Sequence, residues 1–146
     1  MKPQVDQLLG LTAAQIAAEL APLLPAGYAQ GQATLGAVML SLAAQEYDRA
    51  ADIRVAENRE LRALFAELAP LVADTALKAR LETAARGEET SLRIAALDDA
   101  NYALRRLLIA LHAQIEDLPG EAARRAERRI WSVLRASAER RKLTLG

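Results

Sequence analysis

The chain has no cysteine and a single histidine, His112. Disulfides and thiolate metal sites are excluded, and no redox compartment can be read. A ferritin-like di-iron bundle needs two Glu-x-x-His motifs, which one histidine cannot supply. Aromatic residues are scarce, with one Trp, one Phe and three Tyr. No alternating run rich in Val, Ile or Thr reads as a strand. Net charge is also missing, since 19 basic residues balance 19 acidic ones. That balance gives no prior for a polyanionic or acidic partner.

Charge is absent locally too. Between Leu20 and Gln45 there is no Asp, Glu, Lys or Arg. Pro25, Gly27, Gly31 and Gly36 interrupt this stretch. The clean run falls short of the roughly 20 apolar residues a membrane span needs, so no span is predicted. Asp6 and Glu19 intrude on any secretory leader. The expectation is therefore a cytoplasmic protein whose uncharged stretch is buried in its core or against a second subunit.

What the chain does have is helix formers. Alanine, leucine, arginine and glutamate dominate. The clearest element is a seam over 94–118: Ile94, Leu97, Asn101, Leu104, Leu108, Leu111, Ile115 and Leu118. The spacing alternates three and four without a slip, which is the period of packed helices. Ala96, Ala100, Ala103, Leu107 and Ala110 widen the apolar arc, so the helix is contacted from two directions in a bundle. Asp99, Arg106 and Glu116 face water. Pro119-Gly120 stops the helix.

The other elements follow in order. Residues 2–10 read as a short arm. Thr12 and Gln15 read as a capping box that starts a short N-terminal helix, ended or kinked by Pro22 and Pro25. A long helix is predicted over 32–68, with Leu40, Ala44, Tyr47, Ala51, Arg54, Asn58, Leu61, Phe65 and Leu68 inward. A third covers 71–86, with Leu77 and Leu81 inward and Gly87 as a left-handed stop. The seam helix begins near Glu88. The last runs over 121–142, with Ala126, Ile130, Val133, Leu134 and Ser137 inward. It carries eight arginines and lysines against three glutamates, so the rest of the chain is acidic by the same margin of five. The predicted fold is all-α: a single helical domain over 1–146, an up-and-down bundle of four main helices plus a short N-terminal one.

Candidate chemistry is thin. Tyr47, Arg54, Asn58 and Asn101 fall on inner faces, with Asp98 and Arg105 beside them. Such a layer could hold a small anionic ligand, or it could be a closed network that fixes register. The sequence predicts that the long and seam helices run antiparallel, with the third helix as a crossover, so that Arg54, Asn58 and Asn101 share one layer. The pairs Asp48/Asp52, Glu57/Glu60, Glu88/Glu89 and Asp98/Asp99 read as solvated helix charges. His112 lacks the partners of a catalytic histidine. Trp131 among Arg124, Arg128 and Arg135 could stack on bases, but arginines pairing with the acidic body explain it as well. The spacing of Gly27 and Gly31 follows no strand, so no phosphate loop is predicted. No catalytic residue, metal or cofactor is assigned. The favoured function is a non-catalytic interaction or ligand-binding protein, a homodimer with a possible protein partner. The alternatives are a small enzyme or sensor using the polar layer, and a nucleic-acid-associated protein using the basic helix, the less favoured of the two.

Overall fold

The computed structural model describes residues 4–144. Every regular element there is helical: α1 (Val5–Gln15), α2 (Tyr28–Leu68), α3 (Thr75–Ala85), α4 (Ile94–Glu116) and α5 (Glu121–Arg140). This is an all-α bundle of four main helices and a short N-terminal one. Among the described residues no helix is long and apolar enough to cross a membrane. The chain divides into two compact units, Met1–Ala50 with Lys142–Gly146, and Ala51–Arg141.

In the first unit, the capping box at Thr12 does not form. α1 already begins at Val5, and the Thr12 hydroxyl donates to the Leu8 carbonyl at 2.8 Å inside the helix. The expected arm is therefore helical from Val5 onward, while its Lys2 and Pro3 lie outside the described residues. α1 continues without a break into a π-helical turn, Ile16–Leu20, and a 3-10 turn, Ala21–Leu23, that takes Pro22. Gly27 then adopts a φ of 128°, which suits glycine, and α2 starts at Tyr28, four residues earlier than the pattern predicts. The buried apolar residues of this unit are Ala13, Ala21, Ala37 and Ala50. Its large side chains lie outside: Leu11 is 69 % exposed, Leu23 80 %, Tyr28 84 % and Met39 61 %. Tyr47, expected inward, is also exposed.

The second unit is built the opposite way. Leu64, Phe65, Leu81, Leu97, Leu111, Ile115 and Ile130 are fully buried. Each contributes roughly 1.5–3 kcal/mol of burial. The α4 seam holds from Leu97 to Ile115, but Ile94 is exposed because the helix begins there, not near Glu88. α3 is capped by Asp74, whose Oδ1 accepts from the backbone N–H of Ala76 and Leu77 at 2.8 and 3.0 Å. Leu77 and Leu81 face inward as predicted. Gly87 is not left-handed, since only Gly27 and Gly120 have positive φ. A 3-10-type bond from its N–H to the Ala84 carbonyl at 3.1 Å finishes α3 instead. Gly120, at φ 96°, makes the tight turn between α4 and α5.

Partner numbers give the topology. Arg54 meets Asp98, and Glu57 and Asn58 both meet Asn101, at separations of 44, 44 and 43 residues. A constant separation means that α2 and α4 run parallel, so the predicted antiparallel crossing is wrong. Against α5 the numbers run oppositely, with Glu57 on Arg141 and Glu67 on Arg129. α3 is a simple return from the end of α2. The irregular residues 86–93 then carry the chain further back, and Glu89 pairs with Arg62 on the way. Helices α2 to α5 alternate in direction, an up-and-down arrangement.

Candidate functional site

The polar layer forms around a residue that the sequence pattern leaves on the surface. Glu57 lies on α2 with Ile53 one turn before it and Leu64 two turns after, both buried. This second stripe faces α5, so the carboxylate enters the interior. Its Oε1 accepts from the Ser137 hydroxyl at 2.6 Å and from Arg141 Nε at 2.7 Å. Its Oε2 accepts from Arg141 Nη2 at 2.6 Å, completing a two-pronged pair, and from Asn101 Nδ2 and Arg105 Nη2 at 3.4 and 3.5 Å. Burial by itself pushes the Glu57 carboxyl up. The Arg141 fork, the Ser137 hydroxyl and the charge of Arg105 outweigh it and hold the carboxyl at about 2, down from 4.5.

The asparagines close the layer. Asn101 Nδ2 donates to Asn58 Oδ1 at 2.9 Å, and Arg105 Nε donates to Asn101 Oδ1 at 2.8 Å. Asn58 Nδ2 donates to the Leu97 carbonyl at 3.3 Å, and Arg105 Nη2 reaches Ser137 Oγ at 3.0 Å. Arg54 Nε is held by Asp98 Oδ1 at 2.7 Å. Of the residues predicted to line a site, Asn58, Asn101 and Arg105 come together, Arg54 sits on Asp98, and Tyr47 is exposed on the first unit. Glu57 and Arg141 were missed. Arg141 is invisible as a partner until the direction of α5 against α2 is known. A hollow of about 10 Å³ lies beside Glu57, Arg105 and Ser137, about the room of one water.

The basic helix is largely matched by carboxylates. Arg129 reaches Glu67 at 3.1 Å, Arg140 pairs with Glu60, and Arg124 and Arg128 share Glu121 at 3.1 and 3.0 Å. Those two arginines hold the Glu121 carboxyl below its ordinary value. Trp131 stands at the boundary, with the His112 ring edge-on at 5.7 Å. Among the described residues no cluster of His, Asp or Glu is arranged to hold a metal.

In the first unit, α1, the π-helical turn and α2 enclose a cleft of about 340 Å³ lined by Gly10, Ala13, Ala17, Ala37, Val38 and Leu42 among others. Thr144 borders it and is pinned by Gln45: the Gln45 amide donates to the Thr144 carbonyl at 2.8 Å and accepts from the Thr144 N–H at 3.1 Å. Along the open side of α2, Tyr28, Gly31, Leu35, Val38 and Leu42 repeat at three and four residues. Tyr28, Leu35 and Val38 are exposed, and Met39 flanks them. Compared with protein-family models, curated proteins and solved structures, the chain matches none of them.

Proposed function

We propose that this is a non-catalytic, cytoplasmic interaction protein that works as a homodimer through the apolar face of its first unit. The observation that carries the reading is the exposed apolar face of α2, Tyr28, Leu35, Val38 and Met39, in a stretch with no charged side chain. Large apolar residues exposed at such helical spacing are the surface one helix presents to another. A second copy fits it well. In a two-fold interface the same patch faces itself across the axis, and an uncharged patch does so without repulsion. Exposed apolar patches of this kind mark association sites. The buried layer around Glu57 is read as structural, because its donors and acceptors satisfy one another.

Sedimentation at micromolar concentration tests this. The wild-type chain is expected to be a dimer, and Leu35→Glu with Met39→Glu to be a monomer of unchanged helix content. A wild-type monomer at that concentration overturns the proposal.

A further inference from the structure

A second surface differs from the first in one decisive respect, its charge. Between α3 and α4 runs an open groove of about 570 Å³, lined by Ala79, Arg80, Thr83, Ala84, Ala103, Arg106 and Leu107. The floor and walls are alanine and leucine, and the Thr83 hydroxyl is engaged by the Ala79 carbonyl at 2.8 Å. The proton of its one neutral side-chain polar group is thus spent, and the groove offers no neutral side-chain donor for reading a sugar or a base edge. It offers apolar contact and two guanidinium groups, Arg80 on one wall and Arg106 on the other. Among the described residues neither has a carboxylate within ion-pair distance. This contrasts with Arg54, Arg62, Arg105, Arg129 and Arg141, each of which has one. On α4 the apolar surface continues past Arg106 to Tyr102 and Ile109, which are 70 % and 71 % exposed.

We infer that this groove docks an amphipathic helix from a partner protein, one whose apolar stripe is flanked on both sides by carboxylates. Small residues on both walls let a helix backbone approach closely, and the wider apolar surface receives its anchors. The arginines on opposite walls demand acidic residues on opposite flanks, which gives orientation and rejects basic helices. The groove and the self-association seam are separate surfaces, and the inference stands whether or not the chain dimerises.

Two labelled synthetic helices of about five turns test it, identical in their leucine stripe but flanked by Glu in one and Lys in the other. Fluorescence anisotropy against the whole protein is expected to show micromolar binding of the Glu helix, weakening with salt. The double reversal Arg80→Glu with Arg106→Glu, both on exposed positions, is expected to weaken it about tenfold and to strengthen the Lys helix. Circular dichroism of the variant checks that the bundle is intact. Binding of the Glu helix that survives the reversal, or is lost in Leu35→Glu with Met39→Glu instead, overturns the inference. So does equal binding of both helices, no binding of either, or a single-stranded oligonucleotide competing for the same arginines.

Discussion

Helix α2 belongs to both units and behaves differently in each. As far as Ala50 it buries only alanines, Ala37 and Ala50, while Leu35 and Met39 stand in solvent. Beyond Ala51 it buries Ile53, Leu61, Leu64, Phe65 and Leu68, together with the polar Glu57 and Asn58. The apolar content of the two halves is similar, so composition does not explain the contrast. What differs is supply. The second half has α3, α4 and α5 to pack against. The first half has α1 and two short turns, whose contact residues are glycine and alanine. A buried alanine methyl contributes about 0.8 kcal/mol, far less than a buried Leu or Phe. The second unit therefore buries its large side chains against its own chain, and the first leaves its large side chains exposed.

The largest effect that could break this contrast comes from truncating each half. Phe65→Ala removes a fully buried ring and is expected to cost about 3–5 kcal/mol in urea unfolding. Met39→Ala is expected to change the stability of the dilute monomer by less than about 0.5 kcal/mol, while weakening association at high concentration. If Met39→Ala destabilises the dilute chain as much as Phe65→Ala does, the first unit has a core of its own and the contrast fails.

The second unit was the more legible of the two in sequence. The seam from Leu97 to Ile115 carries its own period, and the inner faces of α3 and α5 follow it. Directions were less legible. Periodicity says which face of a helix is buried but not which way its neighbour runs. The sequence predicts the Asn58–Asn101 pair, but from an antiparallel crossing that does not exist. It forms because residues 86–93 carry the chain back far enough for a parallel α4 to reach the same level. Glu57 was misread for a related reason. Periodicity traces one inner stripe on α2, whereas a helix packed from several sides buries a second, and a carboxylate there looks like any surface charge. In the first unit the early start of α2 hides behind Gly31, which lies just before the predicted start although it is within the helix. The uncharged stretch is plain in the sequence, but only the structure separates its buried alanines from its exposed leucines.

Acid sharpens the contrast next, because it acts on Glu57 in the second unit alone. Its carboxyl is depressed in the fold to about 2 from 4.5. A depressed carboxyl contributes stability that is complete above the unfolded value and is lost as pH falls through 4.5 towards 2. Between pH 6 and pH 3 the loss attributable to Glu57 is about 2 kcal/mol. Glu57→Gln should therefore be less stable than wild type at pH 6, and the gap should narrow by that amount at pH 3. A gap that is the same at both pH values would show that the carboxylate is not held ionised by Arg141 and Ser137.

The last effect concerns what pins the second unit and is largely missing from the first. Asn101 gives its amide to Asn58 and takes Arg105 on its carbonyl. Asn101→Leu strands the Asn58 carbonyl in the interior, at a cost of roughly 1–3 kcal/mol. Asn58→Leu leaves the Asn101 amide only its long bond to Glu57 Oε2 at 3.4 Å and also removes the donor to the Leu97 carbonyl. When both are replaced, neither amide waits for the other, and Arg105, partly exposed, can turn towards water. The double variant should then be more stable than the sum of the single losses implies, by about 0.5–3 kcal/mol. The corresponding pair of the first unit, Gln45 with Thr144, lies in the exposed range. Water replaces a partner there, so Gln45→Leu should cost less than Asn101→Leu. Strict additivity for the two asparagines, or an equal cost at Gln45, would mean that the polar layer does not lock the second unit as its geometry implies.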